Sequence, residues 1–175
     1  MLGTVAIIII LAIIITLIFA ATRPDTFRIE RSINIKASPE KIFPFIIDFH
    51  HMKSWSAWEE VDPAMKRSYS GAESGKGAMY DWDGNKSIGQ GSMEMLESIP
   101  SSKVLIKIDF YKPFEAHNTV EFTLVPNGEA TTVNHTMYGP SPFQSKLMSL
   151  VFNMDKMVGV KFEEGLTNLK AIAEK

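Results

Sequence analysis

Few side chains in this 175-residue chain stand at spacings that support chemistry. The chain has no cysteine, which removes disulfides, thiolate nucleophiles and Cys-ligated zinc. Two of its histidines, His50 and His51, are adjacent, and neighbouring residues on a helix point apart. With no H-x-x-x-H or H-E-x-x-H pattern, no metal site is predicted. Gly71 to Gly77 (GAESGKG) combines glycines with a lysine but lacks phosphate-loop spacing, and it joins two predicted strands. Asp81-x-Asp83-x-Asn85 opens like a calcium loop. Lys86, however, replaces the turn glycine and Ser92 the bidentate glutamate. No serine lies in a nucleophile-elbow sequence. Glu59-Glu60 and Glu163-Glu164 read as solvated faces. No catalytic residue, metal ligand or cofactor site is therefore assigned.

What remains is a set of side chains that strand parity turns to one face. In Lys103–Phe110, Val104, Ile106, Ile108 and Phe110 share the inner side, with Lys107 and Asp109 opposite. By the same alternation Asn118, Val120, Phe122 and Leu124 face inward, as do Val133, His135 and Met137, and Tyr80 with Trp82. Such a surface, apolar and aromatic with a few polar groups (Asn118, His135, the Tyr80 hydroxyl), has the composition of a hydrophobic binding cavity. It is equally that of a filled core whose polar atoms find backbone partners. His135 reads first as a satisfied interior histidine and second as a ligand contact. Met93, Phe110, Phe122, Met137, Phe152 and Met157 complete the candidate lining, thioethers being adaptable gap-fillers as well as pocket walls. Trp55 and Trp58 form either a lid at headgroup level or the edge of the core. Arg31 falls on the inward parity of the first strand. It must meet a carboxylate, meet an anionic ligand head, or be turned outward by a bulge.

These residues need elements to hold them. Phe27–Lys36 alternates as a half-buried strand. Ser38-Pro39-Glu40 opens a short helix interrupted at Pro44, and Asp48–Trp55 forms a second. Strands are predicted at Met65–Ser70, Ala78–Asp83, Gly91–Ser98, Lys103–Phe110, Glu115–Pro126 and Ala130–Tyr138, and tight turns make them an antiparallel meander. From a Ser141-Pro142-Phe143-Gln144 capping box, apolar residues recur every three or four positions to Leu169. This spacing predicts one amphipathic helix of about 30 residues. The expected fold is α+β: seven antiparallel strands wrapped on a long C-terminal helix, with two short helices after the first strand.

Leu2 to Ala21 carries no charge, and about 20 apolar residues at 1.5 Å rise span the roughly 30 Å hydrocarbon core. A cleaved signal peptide would have a basic start, a shorter apolar run and a small-x-small cleavage site, so a retained anchor is preferred. The expected organisation is an anchor over 1–22, a linker over 23–26 and one domain over 27–175. Arg23, Arg28, Arg31 and Lys36 follow the span and nothing basic precedes it, which places the domain on the cytoplasmic side of a single-pass membrane protein. The 18 basic and 20 acidic residues leave no basic surplus for nucleic acid.

SPEKIFPFIIDFHHMKSWSAWEE, FYKPFEAHNTVEFTL and GPSPFQSKLMSLVFNMDKMVG, together with this order of elements, resemble the START-like (SRPBCC) helix-grip superfamily. The likeness is to its bacterial polyketide cyclase/dehydrase and lipid transport branch, over Phe27 to Ala173. The resemblance implies a bacterial inner membrane and a cavity between sheet and helix for a lipid or other hydrophobic small molecule. It implies no catalytic set. Three functions stay open: a membrane-tethered binding domain for such a molecule, a cyclase or dehydratase using His135 or Tyr80 as proton carrier, and a protein-interaction module with a filled core.

Overall fold

The computed structural model describes residues 2–175 of the chain. It begins with α1 (Leu2–Ala21), where the Thr16 hydroxyl donates to the Ala12 carbonyl at 2.8 Å. Residues 22–25 lead into β1 (Thr26–Ile35). After α2 (Pro39–Ile47) and a 3₁₀ helix (Phe49–Ser54) come β2 (Lys66–Gly71), β3 (Ala78–Asp83), β4 (Gln90–Ile99), β5 (Lys103–Lys112), β6 (Ala116–Asn127) and β7 (Ala130–Pro140). All pair antiparallel in the order β1-β7-β6-β5-β4-β3-β2, so β1 closes the meander by pairing with its last strand. A register shift between Met95 and Glu97 marks a bulge in β4, which bends the sheet. Two helices follow, α3 (Phe143–Met148) and α4 (Met154–Ala173). This is the α+β helix-grip arrangement: one curved sheet holding a C-terminal helix.

Alternation sets the inner face as expected. Val104, Ile106, Val120, Phe122, Leu124, Val133 and Met137 are buried, and α4 lays Val158, Phe162, Leu166, Leu169 and Ala173 against them. That stripe recurs at three and four residues, which places α4 along β1 and β7. α4 packs beside the chain at Trp55 and Ala57, where a side chain at Gly165 would still sit in ordinary contact, and Asn168 donates to the Trp55 carbonyl at 3.2 Å.

Three expectations need correction. The single long helix is two, because Asn153 accepts from the Lys156 amide and caps a new start, with Asp155 favourably placed in the first turn. The capping box at Ser141 does not form: Pro142 holds the cap position and no side chain caps α3. Glu59 is not on a solvated face but 5% exposed, for reasons given below.

Candidate functional site

The register places the sheet's inner residues in cross-strand rows. One row runs Tyr69, Tyr80, Met93, Ile108 and Asn118. A second runs Val104, Phe122, His135 and Arg31. Tyr80 and Asn118 therefore stand three strand spacings apart, about 14 Å at roughly 4.8 Å each, and His135 lies in a different row. The three polar groups named from parity do not converge. Without convergence there is no acid–base pair over a common space, and the proton-carrier reading loses its geometric support.

Each polar group has its own surroundings. His135 is sandwiched between Phe122 and Phe162, with ring centroids 4.1 and 3.6 Å away. Its Nδ1 is buried without a partner, so the residue is interior but not satisfied. Burial in this aromatic stack pushes its pKa down to about 3, and the ring is neutral at any physiological pH.

Tyr80 donates its hydroxyl to Glu59 Oε1 at 2.7 Å, and Arg67 Nε donates to Glu59 Oε2 at 2.7 Å. Burial, then the hydrogen bond to Glu59 and its charge, raises the Tyr80 phenol well above its ordinary value and keeps it a donor. Arg67 stays charged: burial opposes its charge most strongly, and the hydrogen bond to Glu59 and the Glu59 charge, with smaller contributions from Tyr80 and Tyr69, together outweigh it. Arg67 also donates to the Met65 carbonyl at 2.7 Å, while its Nη2 has no partner. Arg67 escaped the sequence reading, which took Glu59 for a solvated residue. The available signal was register: Arg67 sits opposite Trp82, so a guanidinium was due on the inner face and needed a carboxylate.

Arg31 resolves among its three readings toward the carboxylate. No bulge interrupts β1. Its guanidinium forks onto Asp155 with both contacts at 3.1 Å, and Nε donates to Glu163 at 2.6 Å. The hydrogen bonds it donates to Asp155 and Glu163 raise its pKa, and Arg31 in turn holds the Asp155 carboxyl below its ordinary range. Gly159 makes this clamp possible, because a Cβ there would overlap the guanidinium. Glu163 is thus a tied residue rather than a free one.

The other candidates divide by position. Trp55 is buried, donates its indole N–H to the Phe45 carbonyl at 2.9 Å and meets Phe122 edge-on, which makes it core. Trp58 is half-buried against the same core. Trp82, Met93 and Met137 are buried, and the Trp82 ring lies over Gly91, where a side chain has no room. Phe110 and Asn118 are half-buried, beside half-buried Phe27 and Ile108. Phe152 and Met157 are 48% and 57% exposed, because the break before α4 turns them to the surface instead of toward the sheet.

Between the sheet and α4 the rings of Trp55, Phe122, His135 and Phe162 fill the space. Two open grooves lie elsewhere. One of about 350 Å³ runs along the outer side of α4 past Glu60, Glu163 and Glu164, and one of about 160 Å³ crosses β2–β5 near Asp81 and Tyr111. Among the described residues no cluster of His, Asp or Glu is arranged to hold a metal ion.

A family model described as polyketide cyclase / dehydrase and lipid transport matches residues 26–174. No curated protein matches the chain. Solved structures do. Protein CV1439 from Chromobacterium violaceum superposes with a TM-score of 0.60 at 14% identity, over 87% of this chain and 99% of that one. The Aha1 dimer from Colwellia psychrerythraea gives 0.58 at 21% identity, over 85% and 96%. The di-domain ARO/CYC StfQ from the steffimycin biosynthetic pathway gives 0.61 at 12% identity, over 85% of this chain and 51% of that one. At these identities the likeness is one of fold.

Proposed function

We propose that this chain, which belongs to the polyketide cyclase / dehydrase and lipid transport family, is a membrane-tethered binding domain for a lipid or other hydrophobic small molecule. One observation carries the reading. At the end of the sheet where β1 begins, the inner face is an apolar floor built from Trp82, Met93, Phe110 and Met137, with a single amide, Asn118. Phe27, Ile108, Phe110 and Asn118 there are only half-buried. An apolar floor with one polar group to orient a ligand suits a molecule with a long hydrocarbon part and one hydrogen-bonding end.

The tether reading rests on α1. Gly3–Ala21 is long and apolar enough to cross a bilayer and is 6% buried within the fold. The basic residues after the span support the reading of a domain on the cytoplasmic face, and the family resemblance that of a bacterial inner membrane. The family, not any site in this chain, connects it with cyclases, and the separated Tyr80, Asn118 and His135 give that activity no residue to work through.

The test is uptake of an anthroyloxy-labelled fatty acid by the full chain held in amphipol. The expected result is saturable binding that Asn118→Trp weakens about tenfold or more, since the indole occupies the floor. A second reading, an interaction module, draws on the packed interior around His135. Uptake that is absent, or that Asn118→Trp leaves unchanged, favours this second reading.

A further inference from the structure

The fold carries an apolar patch that its interior does not use. The chain between α3 and α4 exposes Val151 (80%) and Phe152 (48%), and the first turn of α4 exposes Met154 (46%) and Met157 (57%). From Ser149 to Met154 the chain has no charged residue. Asp155, the first acid beyond, is drawn back onto Arg31, leaving exposed Lys156 beside the patch. A soluble surface rarely leaves such a group together, and here it is contiguous in sequence and confined to one end.

What covers it follows from where that end sits. α1 is 20 residues long, about 30 Å at 1.5 Å per residue, so its last turn lies at the edge of the hydrocarbon core when the helix spans a bilayer. In that last turn Ala20 is fully buried, and α1 touches α3. The linker holds them in place: Asp25 accepts the Lys146 ammonium on its carboxylate and the Ser141 amide on its carbonyl, the latter at 2.7 Å. Lys146 is buried in this contact. Arg23, at the helix end, lies 4.9 Å over the Phe19 ring and so keeps its charge at the level of the last turn. The α3–α4 break follows α3, the helix that packs against the end of the span.

We infer that Val151, Phe152, Met154 and Met157 form an interfacial foot seated in the bilayer beside α1, so that the half-buried floor of the sheet opens onto lipid and not onto water. The inference rests on the tether reading above. The occupant is the acyl–headgroup boundary: apolar side chains enter it, and Lys156 and Arg23 meet anionic headgroups.

The chain's lack of cysteine makes the test direct. Single nitroxide labels are placed through Val151→Cys, Phe152→Cys, Ile10→Cys and Gly128→Cys in the full chain, reconstituted in phosphatidylcholine/phosphatidylglycerol vesicles. Collisions with oxygen and with a nickel chelate are then compared. The expected result is that labels at 151, 152 and 10 favour oxygen and the label at 128, in the distal β6–β7 turn, favours the chelate. If 10 favours oxygen while 151 and 152 favour the chelate, the foot is wrong and the tether stands. Labels at 151 and 152 shielded from both agents would mean a protein partner or a second copy covers the patch, which also overturns it. A label at 10 in water removes tether and foot together.

Discussion

Replacing Glu59 by leucine is expected to cost the fold about 3–5 kcal/mol, the range for breaking a buried ion pair from one side. Glu59 is 5% exposed and accepts from both Tyr80 and Arg67. Without it, the Arg67 charge is stranded among apolar neighbours and the Tyr80 hydroxyl loses its partner. Glu59→Gln keeps an acceptor but not the charge and should fall between. The double variant Glu59→Leu, Arg67→Met removes both charges and should recover most of the loss, which separates an ion-pair effect from a packing defect. Urea unfolding of the full chain in detergent, followed by tryptophan fluorescence, measures all three. A Glu59→Leu variant within about 1 kcal/mol of the parent would show that water reaches Arg67 and that the network is not a buried one.

The second large effect is a pH dependence that belongs to His135. Its folded pKa, about 3, lies below the ordinary value of 6.5 because the ring is buried. Below pH 6.5 the unfolded chain takes up a proton that the native chain refuses, so stability is full above that pH and falls as pH drops toward 3. Between pH 7.5 and 5 the loss should be about 2 kcal/mol. The lowered carboxylates act below this window, and His117 acts in the opposite sense, only above pH 6.5. Asp48, Asp109 and Asp155 have lowered pKa values and release their stabilisation only at more acid pH. His117 is raised by its bond to Asp109, so its contribution is present below pH 6.5 and is lost as pH rises through its folded value. His135→Leu keeps an apolar filler between Phe122 and Phe162 and removes the titrating group. Its stability should be nearly flat from pH 6.5 to 5. A variant that keeps the parent's slope would assign the dependence elsewhere.

Much of the architecture was legible before any coordinates. Strict alternation in β5, β6 and β7, with glycine- and proline-marked turns, dictates both an antiparallel meander and which side chains share its inner face. Arg31 was recognisable as an inward cation in need of an acid, although its partners lie more than 120 residues away. The break between α3 and α4 was hidden because apolar residues keep helical spacing through Leu150 and Val151. The contrary signal, Asn153 followed by Asp155, is a helix start that periodicity overrode. Glu59 was misread because it sits between elements, where no period reports burial. Phe152 and Met157 went astray with the break itself. Parity also cannot distinguish a face from a cavity: it placed Tyr80, Asn118 and His135 on one face but could not measure the strands between them.

The binding role is tested most directly by native mass spectrometry and lipid extraction on the full chain, taken from its host membrane in mild detergent. The account predicts one apolar molecule held stoichiometrically by the parent and lost in Asn118→Trp, with loosely associated bilayer lipids common to both. If parent and variant carry the same lipids and neither holds a stoichiometric ligand, the floor beside Asn118 is not a binding site.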